Sequence, residues 1–222
     1  MSRSVFWALV RKDLFLMRGF IIAMLVVGLG SWALMGQGGK AFAVGGLLFL
    51  TANVAGAIFI AVYSMQAERK EQARLFALSL PISGVRYYLS KLASGYLSFG
   101  IPWLVLTTVG LLGILLNEQG DRGMLVYGIL IQCFVLAQFS VVMAAMFVST
   151  SDAMSGIVIL AVNIGFSLFM IQINQPEIIG PWKSDAIVWT PFARHMLAGE
   201  LVAMVLALGI AVYILSRSRD HI

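Results

Sequence analysis

Six stretches of the chain run without a single Asp, Glu, Lys or Arg: Gly19–Gly39, Ala41–Ala67, Leu92–Asn117, Gly123–Ser151, Ala153–Pro176 and Leu201–Ser216. A helix that crosses a bilayer needs about 20 predominantly apolar residues. Five stretches meet that length, and the sixth does so by taking in the residues just before it, which places Glu200 near an interface. Backbone groups in hydrocarbon must be hydrogen-bonded within their own segment, so each stretch predicts a helix rather than a strand. The expected spans are 19–37, 42–66, 92–116, 124–149, 154–174 and 197–216, within a single transmembrane domain covering 1–222. Gly36, Gly38 and Gly39 predict a tight first turn, and Asn117–Gly123 a second.

Three segments between or before the spans carry patterns of their own. In Arg3–Arg18, a helix puts Val5, Phe6, Leu9, Val10, Leu16 and Met17 on one broad face, with Arg3, Arg11 and Arg18 on the other. That pattern predicts an amphipathic helix lying in the membrane interface, its basic side towards anionic headgroups. The segment 68–91 starts with the charged run Glu68-Arg-Lys-Glu-Gln-Ala-Arg74 and turns apolar at Leu75, Phe76, Leu78 and Leu80. Pro81 ends that short helix, because the residue before a proline avoids the α region, and Ser83 is suited to cap the next one. A merely solvated connector has no use for the Leu/Phe cluster, so this segment reads as a docking helix. In 174–199, Pro176, Pro181 and Pro191 rule out one continuous helix. Trp182 and Trp189 favour the membrane–water boundary; short helices, a partly re-entrant hairpin and a long interfacial loop all fit.

Composition agrees with the pattern. Of 222 residues, 60% are hydrophobic and 11% charged, and the mean hydropathy is +0.94. A water-soluble domain carries about 25% charged residues, so the solvent for most of this chain is lipid. The net charge of +5 does not indicate nucleic acid, because the basic residues sit in short segments between apolar runs. With the N-terminus inside, Arg3, Arg11, Lys12, Arg18, Arg69, Lys70, Arg74, Arg86, Lys91, Arg217 and Arg219 lie inside. Only Lys40, Arg122, Lys183 and Arg194 lie outside, a bias that predicts both termini in the cytoplasm. No small-residue cleavage site follows the first apolar run, so the N-terminal segment reads as uncleaved. Cys133, the one cysteine, stands in an apolar run as a small buried hydrophobe.

At these residues the chain resembles the permease subunit of a type-2 ABC transporter, a bacterial exporter family. Leu9-Val-Arg-Lys-Asp-Leu14, with Arg18 after it, is similar to that family's opening amphipathic helix. Glu68-Arg-Lys-Glu-Gln-Ala-Arg-Leu-Phe-Ala-Leu-Ser-Leu-Pro-Ile-Ser83, followed by Lys91, resembles the stretch between its second and third spans. Thr190-Pro-Phe192 resembles the Ser/Thr-Pro-Phe element before its sixth span, and the six-span layout covers the whole chain. Gly84 departs from the basic residue common at that place in the family. The resemblance implies an all-α permease in the bacterial inner membrane that pairs with a second permease chain, as homodimer or heterodimer. Two copies of an ABC ATPase would bind below and carry the ATP and magnesium; this chain would bind no cofactor. Glu68, Arg69, Lys70, Glu71, Arg74, Leu75, Phe76, Leu78 and Pro81 would then couple to the ATPase: Leu75, Phe76 and Leu78 as anchors, the charged residues as rim, Pro81 as corner.

Catalytic chemistry has little to stand on in the sequence. No Gly-x-x-x-x-Gly-Lys-Ser/Thr string is present to cradle phosphate, and no Gly-x-Ser-x-Gly elbow to hold a nucleophile. His195 and His221 with Cys133 are too few and too scattered for a metal site, and the spans lack paired carboxylates. The polar residues within the spans are Asn53, Gln132, Gln138, Asn163 and Gln172, which either line a substrate path or hydrogen-bond between helices. Small residues four apart, at Ala52/Gly56, Ala161/Gly165 and Ala203/Ala207/Ala211, favour close helix approach and a possible dimer seam. Two rival readings stay open: a membrane-embedded lipid-modifying enzyme, and an accessory membrane protein that docks a partner without transport.

Overall fold

A computed structural model describes residues 2–66, 84–116, 122–148 and 151–217. Among the described residues every long element is a helix and no strand occurs. The order is α1 (Ser2–Met35), α2 (Gly39–Gln66), α3 (Gly84–Leu115), α4 (Met124–Val148), α5 (Asp152–Ile173), the single turn α6 (Pro176–Ile179), a 3₁₀ turn (Gly180–Lys183) and α7 (Pro191–Arg217). Six of these helices, α1 to α5 and α7, are long and apolar enough to cross a membrane. The chain is a multi-pass membrane protein.

Side-chain contacts fix how the helices run. Gly28 of α1 faces Leu106 of α3, and Gly110 of α3 faces the Trp32 ring of α1. Asp13 meets Lys91 between the same two helices. All three pairs are 78 residues apart, so α1 and α3 lie parallel and in one register along their length. Helix α2 returns against α1, with Gly45 beside the backbone of Ser31 and Gly56 beside Met24. The turn between them holds Gly38 and Gly39 at φ 71° and 54°, a left-handed backbone that glycine adopts without strain. Helix α4 runs against α3, with Tyr96 donating to Ser140 at 2.7 Å and Phe99 stacked on Phe139 at 4.4 Å. Helix α5 folds back on α4 through Phe134 and Phe169, and α7 packs alongside α4 where Ala144 meets Ala207 and Ala211. The start of α1 and the end of α7 therefore share one end of the bundle.

Helix α4 is the hub, with 67% of its membrane-length stretch buried against 28% or less in the other five. The rest of the bundle wears its apolar side chains outside: Ile22, Val26, Leu47, Leu104, Leu168 and Leu206 are exposed. Such a surface is stable only in hydrocarbon.

Two boundaries differ from the sequence expectation. The N-terminal segment and the first span form one unbroken helix, α1, whose buried row runs Leu9, Val10, Asp13, Met17, Met24 and Ser31, while Leu16 is exposed. Helix α7 begins at Pro191 rather than at 197. Thr190 accepts a bond from the Ala193 amide at 3.2 Å, and Pro191 takes the first helical position, where its missing N–H costs nothing. Before α7, the α6 and 3₁₀ turns dock on the start of α4. The Gly123 amide donates to the Ser184 carbonyl at 2.9 Å, and the Trp182 ring lies 4.8 Å from Tyr127.

Candidate functional site

Glu68, Arg69, Lys70, Glu71, Arg74, Leu75, Phe76, Leu78 and Pro81 lie outside the described residues. The structure does define what their segment joins: the end of α2 at Gln66 and the start of α3 at Gly84. Seven residues into α3, the Lys91 ammonium donates to Asp13 Oδ2 at 2.7 Å, and Ser94 donates to the same oxygen at 3.1 Å. Both charged residues are buried, Asp13 at 5% and Lys91 at 3% exposure. At ~1.5 Å per residue, Asp13 lies about 33 Å from the far end of α1 and Lys91 about 36 Å from the far end of α3. That distance is close to the ~30 Å thickness of a hydrocarbon core, so a crossing counted from the far ends of α1 and α3 reaches about as far as the pair. Asp13 escaped the sequence reading as a site residue. The signal was there: it is an acid one helical turn from Leu9 on one side and from Met17 on the other.

Of the five polar span residues, two donate their amide nitrogen to a carbonyl of their own helix. Asn53, fully buried, donates to Phe49 O at 2.9 Å, and exposed Asn163 donates to Ile159 O at 2.8 Å. Gln172 is exposed near the end of α5. Gln132 ties helices together: Thr107 of α3 donates to its side-chain oxygen at 3.1 Å, and the Trp103 indole donates to its backbone carbonyl at 3.0 Å. Gln138, two turns further along α4, is buried with no side-chain partner among the described residues.

The small-residue pairs also separate. Gly56 lets α1 approach α2, and Ala207 with Ala211 lets α7 approach α4. Ala161 and Gly165 on α5 instead line an open cleft between α4, α5 and α7, whose wall also holds Gln138 and Glu200. Glu200 was expected near an interface. Because α7 starts at Pro191, Glu200 lies about 13 Å along the helix, well inside it. His195 on the same helix is exposed, and Cys133 on α4 is half-buried.

A second apolar cavity, of about 230 Å³, lies between α1 to α4 towards the end opposite the termini and is lined in part by Trp32, Gln132 and Trp182. The described residues thus form a bundle with a buried charge pair towards one end and apolar spaces within.

A family model described as ABC-2 family transporter protein matches residues 8–218. No curated protein and no solved structure matches the chain.

Proposed function

The chain belongs to the ABC-2 transporter family, and from that premise we propose that it is the membrane-spanning permease subunit of an ATP-driven exporter. The observation that carries this reading is the family match over nearly the whole chain, joined to six membrane-length helices. The sequence holds no phosphate-cradling loop, so the energy comes from a separate ABC ATPase, two copies of which bind a pair of permease chains. Both termini face the cytoplasm of a bacterial inner membrane, as the distribution of Lys and Arg favours.

Coupling runs through Glu68–Leu80. Leu75, Phe76 and Leu78 seat in a groove of the ATPase, with Arg69, Lys70, Glu71 and Arg74 setting register around them. Motion of the ATPases reaches the membrane where this segment enters α3. There the Lys91–Asp13 pair supports a rigid link, because α3 is held to α1 by an ion pair at its base and by shared register above it. A push on the start of α3 moves two spans together, and substrate leaves outward or passes between leaflets.

Leu78→Asp tests the docking assignment. Losing a buried anchor costs about 2 kcal/mol or more, a roughly 30-fold weaker association. The tagged variant should therefore insert normally yet fail to co-purify the ATPase from gently solubilised native membranes. Normal recovery of the ATPase would remove Leu78 from the interface.

A further inference from the structure

The last three spans enclose a cleft of about 540 Å³ that the coupling mechanism does not use. Its walls are apolar, with Phe134 and Val141 from α4, Val162 and Phe169 from α5, and Met196 and Ala203 from α7. Two polar side chains interrupt them, Gln138 at 5% exposure and Glu200 at 8%. Among the described residues, neither carboxylate oxygen of Glu200 and neither polar atom of the Gln138 amide has a hydrogen-bond partner. The two stand level with each other: Ala144 packs against Ala207, and stepping back six residues on α4 and seven on the parallel α7 reaches Gln138 and Glu200.

An unpaired carboxylate is costly in hydrocarbon, and such residues within spans mark ligand or ion paths. A cation of matching shape removes the cost. A small hydrated metal ion does not suit the cleft, since magnesium or calcium demands six or more oxygen ligands and the walls supply almost none. An organic cation with an apolar body does suit it. The carboxylate meets the charge, the Gln138 amide can donate or accept, and Phe134 and Phe169 form a stacked aromatic wall with centroids 3.9 Å apart. The volume falls within the ~300–1,000 Å³ typical of small-molecule sites. Entry is lateral: Val141, Ala161 and Gly199 are exposed, and a side chain added at Gly165 or Gly199 would meet nothing within 4 Å.

We propose that the cleft between α4, α5 and α7 binds a lipophilic organic cation drawn from the bilayer, with Glu200 and Gln138 at its polar end. The proposal rests on the cleft alone, so its failure would leave the transport reading intact. The test uses the purified full-length chain in phosphatidylcholine nanodiscs, without any ATPase, and equilibrium binding of radiolabelled tetraphenylphosphonium. Saturable binding is expected, weakened tenfold or more in Glu200→Gln. Gly165→Leu should abolish it by filling the cleft while leaving the carboxylate in place. Gly165→Leu should unfold at the wild-type temperature and Glu200→Gln at that temperature or above it, because neither removes an existing contact and the second removes an unpaired carboxylate. Absence of saturable binding, or equal affinity in Glu200→Gln, would overturn the proposal. So would efficient disulfide cross-linking of two copies through Ala161→Cys, in a Cys133→Ser background, that the cation leaves unchanged. That result would make the cleft a seam between chains.

Discussion

Asp13 and Lys91 are each more than nine-tenths buried and stand 2.7 Å apart, with Ser94 as a further donor to the carboxylate. Removing one member of a buried pair leaves the other charge uncompensated, which costs about 3–5 kcal/mol, more than the intact pair contributes. Lys91→Met should therefore destabilise the chain towards the lower end of that range, because Ser94 remains and the exposed Lys12 ammonium lies 3.9 Å from Asp13. Asp13→Asn combined with Lys91→Met should recover much of the loss. Thermal unfolding in detergent checks both. A single variant as stable as wild type would mean that water reaches this pair freely. Both residues stand in the sequence in plain view, yet their pairing spans 78 positions and no local pattern announces it. Glu200 is the harder case, since its depth depended on where α7 starts. The cap that sets that start, Thr190 followed by Pro191, lies ten residues upstream of it.

At the scale of the element, the α1–α2 hairpin turns on how closely two backbones approach. A side-chain carbon at Gly45 would lie 2.6 Å from the Ser31 carbonyl and 2.9 Å from the Met35 amide nitrogen. Backbone atoms cannot rotate away, so Gly45→Ala forces the helices apart and should cost about 1–3 kcal/mol. Gly46, one position on, would meet nothing within 4 Å. Gly46→Ala should be neutral or gain up to about 1 kcal/mol of helix propensity. Equal unfolding temperatures for the two variants would show that the hairpin does not pack this closely in the membrane. The sequence places a glycine pair in the second span without saying which member faces α1. That choice belongs to the contact between helices.

For the whole molecule, alternation of the helices brings the start of α1, the start of α3 and the end of α7 to one end. That end also carries most of the arginine and lysine, which argues for a cytoplasmic location. A fluorescent protein fused after Ile222 should fold and fluoresce in cells, and alkaline phosphatase inserted near Gly120 should be active outside the membrane. Phosphatase activity from the C-terminal fusion would invert the topology, and with it the access of any ATPase to 68–80.

What the sequence determined by itself is the solvent and the count of crossings. Hydrocarbon excludes charges and unpaired backbone groups, so runs such as Gly123–Ser151 or Ala41–Ala67 have one stable reading, a helix across the bilayer. The tertiary structure alone decided which face of each helix meets another. Soluble helices advertise their inner face by an apolar stripe, but these helices are apolar all round, and lipid is as welcoming to leucine as a protein core is. Gln132 and Gln138 therefore look alike along the chain. Only packing gives one a threonine and leaves the other beside Glu200 in an open cleft.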